Sequence, residues 1–345
     1  MPEFSIQAFK YPLHLKEAFT ISRGTKKTVE NVFIRMSTDG ITGFGEAAPN
    51  RRYQEDADEV LNFVWKIAPE GKLKADALSD LLNIIHNEPG TVKSAAAALE
   101  MAWWDWFAKV RDRPLWKLWG SETPETPVTS YTIGIDEPDI MQQKAMNADH
   151  FPVFKVKLGT GRDREMINSL RKITDKPIRI DANEGWNSLE YARDMIRFLG
   201  DKNVELVEQP MPSSNIAEMK ELKKWSPLPL FADESFTGVE DISQISECFH
   251  GINIKLMKAG SLKKSLLLLK EAQKKGLKVM VGCMIESSLA ISAGALLGLM
   301  ADIVDLDGFL LINNDPFEGI KLTSDCRLRL PESAGLGIKA KPNIF

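Results

Sequence analysis

From about residue 128 onward the chain alternates short apolar β-type segments with helical stretches, and it does so eight times. The segments are "VTSYTIG", "FKVKLG", "PIRIDAN", "VELVEQP", "LPLFADE", "GINIKLM", "KVMVGCM" and "IVDLDGF". Helical patterns such as "SLEYARDMIRFLG" and "SLKKSLLLLKEAQKKG" separate most of them. Strands linked through helices run parallel, and eight such units point to a closed barrel rather than an open sheet. The expected fold class is therefore α/β, a modified (β/α)8 barrel over residues 128–309. After the eighth segment no clear helix follows; "DPFEGIKLTSDCRLRLPESAGLGI" reads as strands and turns.

The first part of the chain has a different grammar. "FSIQAFKYPLHL" and "ENVFIRMSTDGITGFGEAAP" read as antiparallel strands, with "TDG" as a hairpin signal. Helical periodicity takes over from Glu55 to about Gly120, and "SAAAALEMAWWDWFAKV" is its strongest stretch. At 345 residues the chain is long enough for two domains. The expectation is an α+β capping domain over 1–127, completed by the tail 310–345. "GFGEAA" resembles a dinucleotide fingerprint but lacks the βαβ setting that gives that motif its mechanism.

Composition narrows the function classes. The net charge is −4 with acids and bases interspersed, which argues against nucleic acid or a membrane surface as partner. Three well-separated cysteines, Cys248, Cys283 and Cys326, form neither a disulfide framework nor a zinc pair. The polar start "MPEFSIQAFKYPL" is unlike a signal peptide, and no run approaches the roughly 18 apolar residues of a membrane span. A cytoplasmic enzyme acting on a small molecule is expected, and homo-oligomerization is compatible with it.

The charged residues gather at the ends of the barrel segments. Lys155 and Lys157 lie two apart, so both point to one face of a strand whose other positions are apolar. Segment three ends in Asp181 and Asn183, four in Glu208, five in Asp233 and Glu234; six carries Lys255, and eight Asp305 and Asp307. In a β/α barrel those ends converge on one mouth, where active sites form. A single acid after a strand is often the N-cap of the next helix. Three consecutive strands ending this way, flanked by strands that supply lysines, outweigh that reading.

Carboxylates around one point repel one another unless a cation sits among them. An oxygen-only set, with no ligand spacing among the four histidines, favours magnesium first and manganese next. Strands two and six stand opposite, so Lys157 and Lys255 would face each other across that ion. Burial and neighbouring positive charge are expected to lower a lysine's pKa and make it a usable base. Two opposed bases and a divalent cation suit proton abstraction next to a carboxylate, through an enediolate.

"FKVKLG", "IDANEGW", "VEQP", "ADES" and "INIKLMKAGSL", in this order, resemble the muconate-lactonizing subgroup of the enolase superfamily. "ISRGTKK", "GEAAPNRRYQED", "MAWWDWFAKVRDRPLWKLWG" and "GCMIESSLAISA" resemble it too, and "DLDG" is similar to the dipeptide epimerases of the L-Ala-D/L-Glu type. The resemblance implies Asp181, Glu208 and Asp233 as magnesium ligands and Lys157 and Lys255 as a two-base pair for 1,1-proton transfer. It implies Lys155 as electrostatic support, Asn183 behind the ligands, and Asp305 and Asp307 as the grip on a dipeptide's free ammonium. Thr132, Lys26 and Arg52 join the substrate-binding set; Lys26 stands where L-Ala-D/L-Glu epimerases carry an arginine for the glutamate side chain. The implied activity is inversion of the α-carbon of a dipeptide's C-terminal residue. Alternatives are N-succinylamino acid racemization, o-succinylbenzoate synthesis, cycloisomerization or, remotely, a non-catalytic binding barrel.

Overall fold

The computed structural model describes residues 3–342 and 344, except 76, 239 and 241. The N-terminal region opens with four strands, β1 (Glu3–Ile21), β2 (Gly24–Thr38), β3 (Ile41–Ala47) and β4 (Lys72–Lys74), in the antiparallel order β3-β2-β1-β4. Asp39 and Gly40 both take positive φ at the two-residue turn between β2 and β3, as such hairpins require. The β1–β2 hairpin runs further than its hydrophobic pattern suggests, pairing out to Ile21 and Gly24. Most of its far end is polar and exposed, which hides the strand from a reading based on apolar alternation.

The helix Lys93–Val110 lies directly on β3. A Cβ added at Gly43 or Gly45 would stand 2.0 Å from Ala102 O or 1.9 Å from Ala98 O, so only glycine permits this approach. The tryptophans of that helix pack among themselves; Trp103 stacks on Phe107 with ring centroids 4.6 Å apart.

After β5 (Glu125–Val128) come the eight parallel strands: β6 (Tyr131–Ile133), β7 (Phe154–Lys157), β8 (Ile178–Asp181), β9 (Val204–Glu208), β10 (Leu230–Ala232), β11 (Gly251–Lys255), β12 (Lys278–Gly282) and β13 (Ile303–Asp305). They pair in sequence order, and a parallel bridge from Thr129 to Val304 links the last strand back toward the first. All four residues of β7 are buried, because helices cover one face and the barrel interior holds the other. Only the short turn Gly308–Leu310 follows β13, in place of an eighth helix.

The rest of the chain returns over the N-terminal region. Asn313 N donates to His14 O at 2.9 Å and Lys16 N to Leu311 O at 2.8 Å. Phe317 packs edge-on to Phe33, and Leu115 N donates to Gly335 O at 2.7 Å. The helix Ser288–Gly298 is buried along its whole length, since β3 and this tail cover the side that solvent would otherwise reach. Glu46 of β3 accepts from Ser287 N, Ser287 Oγ and Ala290 N at that helix's start, tying the antiparallel sheet to the barrel. Among the described residues no helix is long and apolar enough to cross a membrane.

Candidate active site

At the C-terminal mouth of the barrel, oxygens of Asp181, Glu208 and Asp233 come within 4.8 Å of one another, all three residues buried. Consecutive strands β8, β9 and β10 carry them, which is why three sequence-distant acids meet. Lys157 Nζ, from β7, donates to Asp181 Oδ2 at 2.6 Å. Lys255 Nζ, from β11, donates to Asp233 Oδ2 at 2.7 Å. The two lysines thus reach the carboxylate cluster from opposite strands. Lys155 sits between: its Nζ is 2.7 Å from Glu208 Oε2, 3.3 Å from Asp181 Oδ2 and 2.6 Å from Asp305 Oδ2.

The protein's own charged groups act in the direction opposite to the expected lowering of the lysine pKa values, to which the cation was also expected to contribute. Burial does disfavour the Lys255 ammonium, but Asp233 and Glu208 outweigh it and raise its pKa above the ordinary lysine value. Lys155 is likewise raised well above, by Asp305, Glu208 and Asp181 against burial. The reason is proximity: each ammonium touches a buried carboxylate, whereas the lysines' mutual repulsion acts at longer range. Glu208 is pushed up to about 7 by burial and by Asp181 and Asp233. Its Oε2 is buried and, though close to Lys155, receives no aligned hydrogen bond. An oxygen-only, buried, anionic cluster with such an orphaned acceptor fits a hard divalent cation.

Residues behind the cluster fix its geometry. Lys258 Nζ is fully engaged, by Asp233 Oδ1 at 2.6 Å, Asp233 O at 2.5 Å, Phe236 O at 2.8 Å and Asn253 O at 3.2 Å. Asn183 N donates to Asp181 Oδ1 at 3.0 Å, and its Nδ2 reaches Glu234 Oε1 at 3.3 Å. Sequence reasoning gave no role of its own to Glu234, which directly follows Asp233, or to Lys258, three residues beyond Lys255. It missed Arg23 and Tyr53 altogether. Arg23 donates to Glu234 Oε1 at 2.7 Å and to Asn183 O at 2.9 Å.

A cavity of about 520 Å3 opens above the cluster, lined by all three lysines, Asp233, Asp305, Asp307 and Thr132 from the barrel. Lys26, Arg52 and Tyr53 close it from the N-terminal region. Lys26 stands at the rim, where partial burial and then Arg23 and Arg51 pull its ammonium below the ordinary value. Arg52 lines the cavity as well, but its guanidinium holds Glu184 in a two-pronged pair, both contacts at 3.0 Å. Asp305 accepts from Ser130 Oγ at 2.6 Å in addition to Lys155. Asp307 accepts from Thr132 N at 2.6 Å and Thr132 Oγ1 at 3.1 Å.

Comparison with known proteins agrees with this fold. Residues 5–120 match the family described as mandelate racemase/muconate lactonizing enzyme, N-terminal domain, and residues 140–344 match the enolase C-terminal domain-like family. An L-Ala-D/L-Glu epimerase of Bacteroides thetaiotaomicron is 38% identical over 331 residues, which covers 96% of this chain and 86% of that protein. Among solved structures, a dipeptide epimerase from Cytophaga hutchinsonii complexed with Mg and D-Ala-L-Val superimposes with a TM-score of 0.92 at 28% identity, over 100% of this chain and 97% of that one. An N-succinyl Arg/Lys racemase from Bacillus cereus gives a TM-score of 0.91 at 28% identity, over 99% and 96% of the two chains.

Proposed function

The chain belongs to the mandelate racemase/muconate lactonizing enzyme family of the enolase superfamily, and from that premise we propose that it is a magnesium-dependent dipeptide epimerase. It inverts the α-carbon of the C-terminal residue of a dipeptide, L-Ala-D/L-Glu or a related L-Ala-X. The observation that carries this reading is the meeting, at one cavity, of two opposed lysines, a three-carboxylate cluster that borders it through Asp233, and a second anionic pair, Asp305 and Asp307. The first two parts serve any α-proton transfer next to a carboxylate. The third suits a substrate with a free ammonium, which an N-acylated amino acid lacks.

In this reading Asp181, Glu208 and Asp233 would hold magnesium, which would supply positive charge beside the substrate carboxylate. Lys157 and Lys255 address the α-carbon from its two faces. One, in its neutral form, takes the proton; the other, as ammonium, returns one to the opposite face. Asn183 and Lys258 keep Asp181 and Asp233 oriented. Residues 1–127 with 310–345 act as the cap and 128–309 as the catalytic barrel. The net charge of −4 supports small-molecule partners over nucleic acid or a membrane surface, and a cytoplasmic location and homo-oligomerization are part of the same proposal.

The test is a library of dipeptides and N-succinylamino acids incubated with magnesium in D2O, with deuterium followed at the α-carbon of the dipeptide's C-terminal residue or of the succinylated amino acid. Uptake and epimerization of Ala-X members are expected. Exchange confined to N-succinylamino acids would overturn the reading in favour of a racemase.

A further inference from the structure

The turn that carries Arg51, Arg52 and Tyr53 over the cavity is organised by one residue, Asn50. Its carbonyl accepts from Tyr53 N at 2.8 Å and from Glu55 N at 3.3 Å, and its side-chain Oδ1 accepts from Arg52 N at 3.0 Å. The Nδ2 of the same side chain reaches across to the barrel and donates to the thioether of Met284 at 3.7 Å. Two residues earlier, the buried amide of Ala48 donates to a second thioether, that of Met257, at 3.5 Å. The segment after β3 is thus seated on two sulfurs, from the segments that follow β11 and β12. Exposure separates the two. Met257 is 3% exposed, whereas Met284 is half-buried and lines the cavity.

We propose that Met284 is a modification site for hydrogen peroxide, at which oxidation of the thioether to the sulfoxide unseats the Arg51–Tyr53 turn. In this step the sulfur lone pair attacks one peroxide oxygen, an S–O bond forms and the O–O bond breaks. The sulfur loses two electrons, and the departing oxygen leaves as water with both protons of the peroxide. The thioether is an apolar group with a weak acceptor, in keeping with Ile285 and Leu311 on the same cavity wall. The sulfoxide is polar, chiral and larger. An oxygen turned toward Asn50 has to fit, together with a hydrogen bond of ~2.9 Å, into a gap of 3.7 Å. Asn50 is therefore displaced along with the Arg52 amide that it caps. An oxygen turned the other way projects into the cavity, against the space a substrate takes. Either product weakens substrate binding while the lysines and the carboxylate cluster stay as they are. The neighbouring Cys283 is a poor competitor for peroxide, because burial and then Glu286 push its thiol well up, away from the reactive thiolate.

The test treats the magnesium-loaded protein with hydrogen peroxide and follows each methionine by peptide mass spectrometry. Met146, 49% exposed on the helix Pro138–Asn147, and Met257 serve as the accessible and the buried reference. Met284 should oxidise within about threefold of the Met146 rate and at least about tenfold faster than Met257. Two readouts follow on the oxidised protein. Trypsin cleavage after Arg51 or Arg52, which needs no substrate, should quicken about fivefold as the turn comes free. KM for the Ala-X dipeptide turned over best should rise about tenfold with kcat nearly constant. Treatment with methionine sulfoxide reductases for both epimers should restore both values. Met284→Leu, compared with its own untreated sample, should show neither change while Met146 still oxidises. Met284 remaining reduced once Met146 has converted would overturn the proposal, as would oxidation of Met284 that leaves the cleavage rate or KM unchanged, or an equal peroxide response in Met284→Leu. If no dipeptide is turned over, the epimerase reading fails, and the cleavage rate alone decides this proposal.

Discussion

Replacing Glu184 by glutamine should loosen the cap over the cavity without touching the lysines. Glu184 follows β8 and receives Arg52 through two contacts of 3.0 Å, Arg23 at 3.4 Å and the Ser213 amide at 2.8 Å. Arg23 lies at the β1–β2 turn and Arg52 in the segment after β3, so a single carboxylate holds both cap segments to the barrel. Glutamine keeps an acceptor for Ser213 but removes the charge. A charge-assisted pair of this geometry is worth about 1.5–3 kcal/mol when buried. The Glu184 and Arg52 side chains are 13% and 36% exposed, so solvent screening reduces this to about 1–2 kcal/mol. If closure accompanies substrate binding, that energy appears as a roughly 5- to 30-fold rise in KM with kcat nearly constant. Burial raises the Glu184 carboxyl and Arg52 more than reverses this, leaving it below the ordinary value. The latch is therefore complete above the ordinary carboxylate range and is lost as pH falls through the lower folded value. Initial rates of epimerization at 50 and 500 mM salt provide the assay, and the gap between parent and variant should narrow at the higher salt (screening over about 10 Å at ~0.1 M). A KM within twofold of the parent at low salt would refute the latch.

Three further outcomes are expected. Asp181→Asn, Glu208→Gln and Asp233→Asn should each nearly abolish turnover and weaken magnesium binding in calorimetry; full activity in excess chelator would remove the metal assignment. Lys26→Ala should raise KM for Ala-Glu more than for Ala-Leu, and an equal rise for both would show that Lys26 does not sense the side chain. Glu286 is buried beside Glu46 and pushed up to about 8, chiefly by burial. It keeps its proton in the folded state where the unfolded chain has lost it, so stability falls as pH rises from the ordinary carboxylate range to about 8. Glu286→Gln should show a thermal-stability advantage that grows over that interval, and a pH-independent difference would contradict the sign.

The barrel was readable because each buried parallel strand is a short apolar run followed by a helical pattern, and because the charged residues that meet at its mouth sit at strand ends. Residues that act along one strand, such as Lys155 and Lys157, could be assigned a face from spacing alone. What they touch could not be read that way. Spacing places Lys155 beside Lys157, but it does not show that Glu208 and Asp305, from strands far along the chain, engage the Lys155 charge. Arg23 was invisible for the same reason: Glu234 is 211 positions away, and nothing near Arg23 in sequence marks that meeting. Lys258 and Glu234 lay beside assigned residues, but a buried ion's partners are set by tertiary packing. The polar far end of the β1–β2 hairpin escaped because exposed strands carry no hydrophobic period.

The fastening of the cap also bears on how such an enzyme can diversify. Arg23 and Lys26 share one segment, as Arg51 and Arg52 share another, yet within each segment one residue is tied to the barrel and the other faces the cavity beside it. Replacing positions 23 or 52 leaves Glu234 or Glu184 without its arginine, so a change there has to be matched by a second change on the barrel. Lys26 and Arg51 have no ion pair to the barrel among the described residues, so positions 26 and 51 carry no such obligation. Grafts between relatives with different substrate ranges should therefore succeed when 26 and 51 are exchanged and the arginines at 23 and 52 are kept, and selection can explore new substrates there one substitution at a time.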